Sequence, residues 1–199
     1  MATEGADPDR LEALILAGGA GTRFGGAKLT ALWRGEPLIH GALAAAFAAP
    51  ARSVTVVTGA DPAVGPVAQA WADAHGVAAR LHMIHAADHA QGMAATLGAG
   101  IAALPWDASG VFVFLGDMPM IPPAVLPALA DALTAGAEAA APLFEGRRGH
   151  PVLFGRTLFA ALSALTGDAG ARDVLAGIGE AVTLVPANDE GVLFDVDVP

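Results

Sequence analysis

Residues 16–28 read LAGGAGTRFGGAK and follow directly on an apolar stretch. Glycines accept positive φ and let backbone N–H groups approach an anion closely, so Gly18, Gly19 and Gly21 fit a loop that cradles phosphate. The two familiar phosphate loops do not match. A dinucleotide fingerprint starting at Gly19 meets Phe24 where its third glycine belongs, and a P-loop needs Gly-Lys-Ser/Thr, whereas Lys28 lies between Ala27 and Leu29. Lys28 is the only lysine in the chain, against nine arginines. A sequence that otherwise uses arginine and has lysine here points to a compact ammonium donor, although a solvated turn lysine is the plainer reading. Asp117, in VFVFLGDMPMIPP, stands where an apolar run ends. A carboxylate so placed suits Mg²⁺, a hard cation that prefers oxygen; the alternative is a turn aspartate ahead of Pro119. Asp195 and Asp197 in LFDVDVP share a period of two, which puts both on one face if the segment is extended.

Elements must hold these groups in place. Apolar or β-branched runs at 11–17, 53–58, 80–84, 111–115 and 181–185 read as strands, and Ala-rich stretches at 38–49, 62–75, 92–104 and 122–135 as helices. That alternation predicts a three-layer α/β fold with a mostly parallel sheet. Ligands of such sheets bind beyond the carboxyl ends of the strands, where the glycine loop and Asp117 would fall. Residues 139–155 break the rhythm with two short apolar runs around a Gly/Arg-rich turn, a small β-hairpin excursion. Residues 1–10 form a flexible N-terminal segment and 11–199 one domain.

At 199 residues and 54% hydrophobic, the chain can bury a sizeable core. Its longest apolar run, 42–51, is interrupted by Pro50 and falls well short of the ~20 residues that span a bilayer. The acidic N-terminus does not resemble a secretory signal, and the absence of cysteine excludes disulfides and thiolate chemistry; a cytoplasmic protein is expected. A net charge of −10 argues against nucleic-acid binding, so any phosphate must meet a local basic site.

Taken in order, LAGGAGTRFGGAK, GMAATLGAGI from Gly92, LGDMP, RRGHPVLFG from Arg147, LTGDAGAR from Leu165 and the terminal DVDVP resemble the molybdenum cofactor cytidylyltransferases, within the MobA-like NTP transferase superfamily. The resemblance covers nearly the whole chain from Leu11 and implies the Rossmann-like nucleotidyltransferase fold. Its first and LGDMP motifs are shared across the superfamily; RGHPVLFG and LTGDAGAR discriminate the cytidylyl branch. The resemblance implies a Mg²⁺-dependent transfer of CMP from CTP to the terminal phosphate of the molybdenum cofactor, with pyrophosphate leaving and no covalent enzyme intermediate. It assigns Leu16, Ala17, Gly18, Gly19, Gly21, Thr22, Arg23, Lys28, Gly92 and Asp117 to the nucleotide, with Lys28, Arg23 and Asp117 catalytic. Asp117 with Asp195 or Asp197 would hold the metal, and His150, Asp168 and Arg172 the acceptor; packing in the core is the other reading of His150. The product would pass to a molybdoenzyme or its maturation chaperone.

The chain departs from the family at several points. Leu16-Ala17-Gly18-Gly19 has the form typical of the guanylyl branch, where cytidylyl members show Leu-Ala-Ala-Gly; GTP is therefore the alternative donor. Ala94-Ala95-Thr96 stands where members tend to have serines, and Val198-Pro199 replaces Thr-Pro. A phosphorylated small molecule other than the molybdenum cofactor, or a non-catalytic cofactor carrier, are the remaining readings. His82 and His85 fall on opposite faces of a strand, which argues against a zinc cluster with His89. Asp168 and Arg172 have the spacing of a helix-start pair. Trp33, Trp71 and Trp106 are expected to cap the core.

Overall fold

The computed structural model describes residues 6–21, 26–167 and 171–197. Its central sheet has the order β10-β7-β9-β6-β1-β4-β5. The strands are β1 (Leu11–Ala17), β4 (Val54–Thr58), β5 (Leu81–His85), β6 (Gly110–Leu115), β7 (Ala139–Phe144), β9 (Val152–Gly155) and β10 (Val182–Pro186). A short β8 (Arg147–Arg148) turns back on β7, and β2 (Leu32–Trp33) with β3 (Glu36–Pro37) makes a separate antiparallel pair. β1 is parallel to both of its neighbours, with Ile15 opposite Val56 on one side and Phe114 on the other. All seven of its residues are buried, as expected of a strand covered on both faces.

Alternation along the strands divides the core in two. Leu11, Ala13 and Ile15 of β1 and Phe112 and Phe114 of β6 pack with α1 (Ile39–Ala48), α2 (Val64–Ala74) and α4 (Leu126–Thr134). Leu14, Leu16, Val111 and Val113 face α3 (Met93–Ala102), α5 (Phe159–Ser163) and α6 (Ala171–Ile178). Helices on both sides of a mixed, mostly parallel sheet make the three-layer α/β architecture.

Residues 139–155 form the expected hairpin through β7 and β8, and they also feed the sheet. β9 enters it antiparallel to both β6 and β7, as the only strand of the main path that runs against the rest. Ala6 to Arg10 are tied to the body: the Ser109 hydroxyl donates to the Asp7 carbonyl at 2.6 Å and the Ser109 N–H to the Arg10 carbonyl at 3.0 Å. Trp71 is buried, stacked between Phe47 and His75, and Trp33 meets Phe194. Trp106, by contrast, is 85% exposed and caps nothing, since it lies in the Pro-bounded loop before β6.

Candidate active site

Sheet order reverses around β1: the chain moves outward to β4 and β5 on one side and returns through β6 on the other. In open α/β sheets that switch point opens a crevice at the carboxyl ends of the strands. Here it holds a cavity of about 710 Å³. Leu16, Ala17, Gly18, Gly19 and Gly21 of the glycine loop line it, with Lys28, Gly92, Asp117 and Asp197. Thus most of the residues assigned from sequence to the nucleotide border one cavity, together with one of the two C-terminal aspartates.

Local structure explains the gathering. Gly21 has φ +58°, and a Cβ there would lie 2.9 Å from the Lys28 Cβ, so glycine lets the loop fold back over the lysine. The Gly26 N–H closes that turn on the Gly21 carbonyl at 3.0 Å. Leu29 is buried against Gly116 and anchors the other side of Lys28. Gly116 donates its N–H to the Leu16 carbonyl at 3.1 Å, which fixes the start of the Asp117 loop on the end of β1. The C-terminal segment then crosses the same edge. Val196 donates its N–H to the Asp117 carbonyl at 3.1 Å and is buried, while Asp195 and Asp197 are exposed on either side of it.

The ammonium of Lys28 ties these pieces together. Its Nζ donates to Asp117 Oδ2 at 2.8 Å and to Asp197 Oδ1 at 3.3 Å. Burial works against the lysine's charge, but the hydrogen bonds and charges of the two carboxylates outweigh it and hold the pKa above the ordinary lysine value. Asp195 titrates above the usual carboxylate range, because of burial and then the charges of Asp197 and Asp117.

Gly92 is the N-cap of α3, with φ +111°, and Met93 and Thr96 from the first turns of that helix join the cavity wall. A helix N-terminus carries positive potential and suits an anionic ligand. A Cβ at Gly18 would collide with the Thr96 hydroxyl and come within 2.9 Å of its Cγ2. Thr96 is 4% exposed, so side-chain bulk at one of the two positions excludes it at the other. His89 also borders the cavity and meets the His85 ring edge-on, with centroids 5.8 Å apart. The signal for it in the sequence is its place three residues before Gly92, in the same loop. Among the described residues no three His, Asp or Glu side chains form a metal-holding group.

His150 does not line the cavity, though it lies within reach of the charge of Asp117. Its backbone N–H donates to the Val192 carbonyl at 2.8 Å, and Nδ1 is enclosed without a hydrogen-bond partner. Burial pushes its pKa below the ordinary histidine value; a hydrogen bond to the Val113 backbone and the charge of Asp117 oppose that, and the charge of Arg172 adds to it. Arg172 is exposed near the start of α6 and so shares the electrostatic neighbourhood of His150 and Asp117. Thr22, Arg23 and Asp168 lie outside the described residues.

The donor set fits a divalent cation. Asp117 Oδ2 and Asp197 Oδ1 converge on one cationic atom, Lys28 Nζ. Mg²⁺ is commonly held by one or two carboxylates, water and substrate phosphates.

The family model of the MobA-like NTP transferase domain matches residues 13–184. The chain belongs to this family. Among solved structures, Rv0371c from Mycobacterium tuberculosis H37Rv superposes with a TM-score of 0.78 at 24% identity, covering 96% of this chain and 95% of that one. A nucleotidyl transferase from Methanothermobacter thermautotroptrophicus gives 0.75 at 19% identity, over 96% and 93% of the two chains. The 4-diphosphocytidyl-2C-methyl-D-erythritol synthase from Anaerococcus prevotii gives 0.73 at 12%, over 96% and 92%. At these identities the likeness shows the fold. Comparison with curated proteins returned no sequence match. Among the described residues no helix is long and apolar enough to cross a membrane.

Proposed function

We propose that this NTP transferase joins CMP from CTP to the terminal phosphate of the molybdenum cofactor and releases pyrophosphate. The observation that carries the reading is the meeting of Lys28, Asp117 and Asp197 at the mouth of a glycine-walled cavity at the sheet's switch point. The cytosine and molybdenum assignments rest on the motifs around Gly149-His150-Pro151 and Asp168–Arg172.

Phosphoryl transfer of this kind needs positioning and charge neutralisation rather than a protein nucleophile. The backbone of Gly18, Gly19 and Gly21 leaves room for the triphosphate, and Lys28 and Arg23 place positive charge on its bridging and leaving oxygens. Asp117 and Asp197 would hold Mg²⁺, with Asp195 alongside. When bound, the metal supplies a Lewis acid and a template for the in-line displacement. Arg172, exposed near the start of α6, orients the acceptor so that its phosphate oxygen attacks the α-phosphorus as the bond to pyrophosphate breaks, and His150, enclosed outside the cavity wall, acts on the acceptor only through its neighbours.

GTP is the second reading, favoured by Gly18: Thr96 occupies the space of an alanine side chain, so the loop keeps the form of the guanylyl branch. A mass-spectrometric product assay with molybdenum cofactor and each of the four ribonucleoside triphosphates decides between them. The cytosine dinucleotide should dominate; dominance of the guanine product would reverse the assignment of the base. Absence of pyrophosphate release with every nucleotide would favour a non-catalytic carrier. Activity only with a different phosphorylated acceptor would move the protein toward the chemistry named for the Anaerococcus enzyme.

A further inference from the structure

Lys28 stands where the metal would stand. Its Nζ lies 2.8 Å from Asp117 Oδ2 and 3.3 Å from Asp197 Oδ1, and its side chain is only 12% exposed. A Mg²⁺ ion binding these same oxygens would sit at ~2.1 Å from each, so ion and ammonium cannot share the gap. Left-handed Ala27 on one side and buried Leu29 on the other fix the lysine's backbone, which leaves the four-carbon stem as the part free to move.

We propose that Lys28 plugs the metal position while the nucleotide site is empty, and that the metal enters as the arriving triphosphate draws the ammonium away. The proposal rests on the reading that Asp117 and Asp197 hold the metal. One ammonium between two carboxylates leaves a single surplus negative charge, and a divalent ion approaching that triad meets the repulsion of the lysine. A triphosphate brings several negative charges to the glycine loop, and both cations then have anions to face. The short loop makes the exchange local: a Cβ at Gly21 would meet the Lys28 Cβ at 2.9 Å, so the lysine stem starts beside the residues assigned to the phosphates. A planar guanidinium held by two-pronged contacts would not release so readily.

The consequence runs against the usual behaviour of a site residue: removing Lys28 should improve metal binding to the nucleotide-free protein. Titration with Mn²⁺, read by electron paramagnetic resonance without nucleotide, should show Lys28→Met binding at least ~10-fold more tightly than wild type, because the competing charge is gone. Equal or weaker binding overturns the proposal. The same titration on Asp117→Asn and Asp197→Asn separates the two levels of the argument. Mn²⁺ binding that needs both aspartates but is indifferent to residue 28 defeats the plug alone; binding that survives loss of either aspartate defeats the metal assignment as well. Should Lys28→Met fail to fold, the wild-type protein answers directly. As Lys28 is the only lysine, ε-¹³C-lysine labelling gives one side-chain NMR signal. That signal should move with Mg²⁺ and CTP together and stay fixed with Mg²⁺ alone; a shift with Mg²⁺ alone overturns the proposal.

Discussion

Two ion clusters lie at opposite ends of the central strands. At the amino-terminal end, Glu12 of β1 is 1% exposed and accepts from Arg52 Nε at 2.7 Å, from the Ser53 N–H at 3.1 Å and from the Ser53 hydroxyl at 2.6 Å. The same guanidinium reaches both oxygens of Asp107, at 3.2 and 2.9 Å. The fork of arginine fits planar carboxylates, and each carboxylate here is held by a geometry that leaves little freedom. At the carboxyl end, one ammonium serves Asp117 and Asp197 on the border of a large cavity, and the second partner is 60% exposed. Arginine closes a structural seam; lysine holds an open one.

The largest effect that would test this contrast is on catalysis. Lys28→Ala should lower turnover at least ~100-fold with the melting temperature nearly unchanged, as expected for a charge that acts in the transition state. Steady-state kinetics with thermal unfolding measures both, and wild-type turnover would remove Lys28 from the chemistry. Arg52→Ala should do the reverse. It leaves the Glu12 carboxylate enclosed with only Ser53, at a loss of roughly 2 kcal/mol, less than for a fully buried pair because Arg52 is itself partly exposed. Urea unfolding would report that loss, and turnover per folded molecule should stay as in wild type.

Exchanging the two cations sharpens the comparison at smaller amplitude. Lys28→Arg should restore little of the activity lost in the alanine variant, since the planar fork cannot occupy the position of a point charge. Arg52→Lys should keep the fold but lose part of the stability, having given up its two-pronged contact with Asp107.

The smallest expected effect is on pH dependence. Hydrogen bonding to Arg52 holds Asp107 below the usual carboxylate range, so its stabilisation is present above the unfolded value of 3.8 and lost as pH falls through the folded one. Asp195 has the opposite sign. Its folded pKa is raised, the folded state binds the proton more tightly, and its contribution to stability declines as pH rises from 3.8 through the folded value. At neutral pH, Asp195→Asn should therefore raise the melting temperature slightly, whereas Asp107→Asn should lower it. A fall in both would erase the distinction between the clusters.

Much of the scaffold was legible because it follows local rules. The apolar runs at 13–17 and 111–115 announced strands, and the glycines after β1 announced a loop at the ligand edge. β9 was not legible as a partner of β6, because its pairing of Phe154 with Val111 joins residues far apart in sequence, and a short apolar run carries no sign of direction. α5 is five residues long, too short for a periodic pattern to show. In the site, Lys28 and Asp117 stood out by type and position. Their connection to Asp197 came only from the family resemblance, which left Asp195 as an equal choice: the Lys28–Asp197 contact spans 169 residues and depends on the C-terminal segment crossing the sheet edge, where Gly149 and Gly191 let backbones pass closely. Thr96 could be noted as a departure from the family, but its contact with Gly18 belongs to the folded state.

The place of β1 between β4 and β6 also bears on how the protein is made. β1 can pair with β4 once residue 58 has emerged, but its other edge waits for β6, which ends at Leu115. At ribosomal speeds of ~5–20 residues per second, that interval is roughly 3–11 s. For those seconds an apolar strand, LEALILA, offers an uncovered row of backbone donors and acceptors to any neighbouring chain. Crowded overexpression should therefore drive this protein toward aggregates nucleated at β1, and weaker induction, which lowers the concentration of such half-paired chains, should raise its soluble yield.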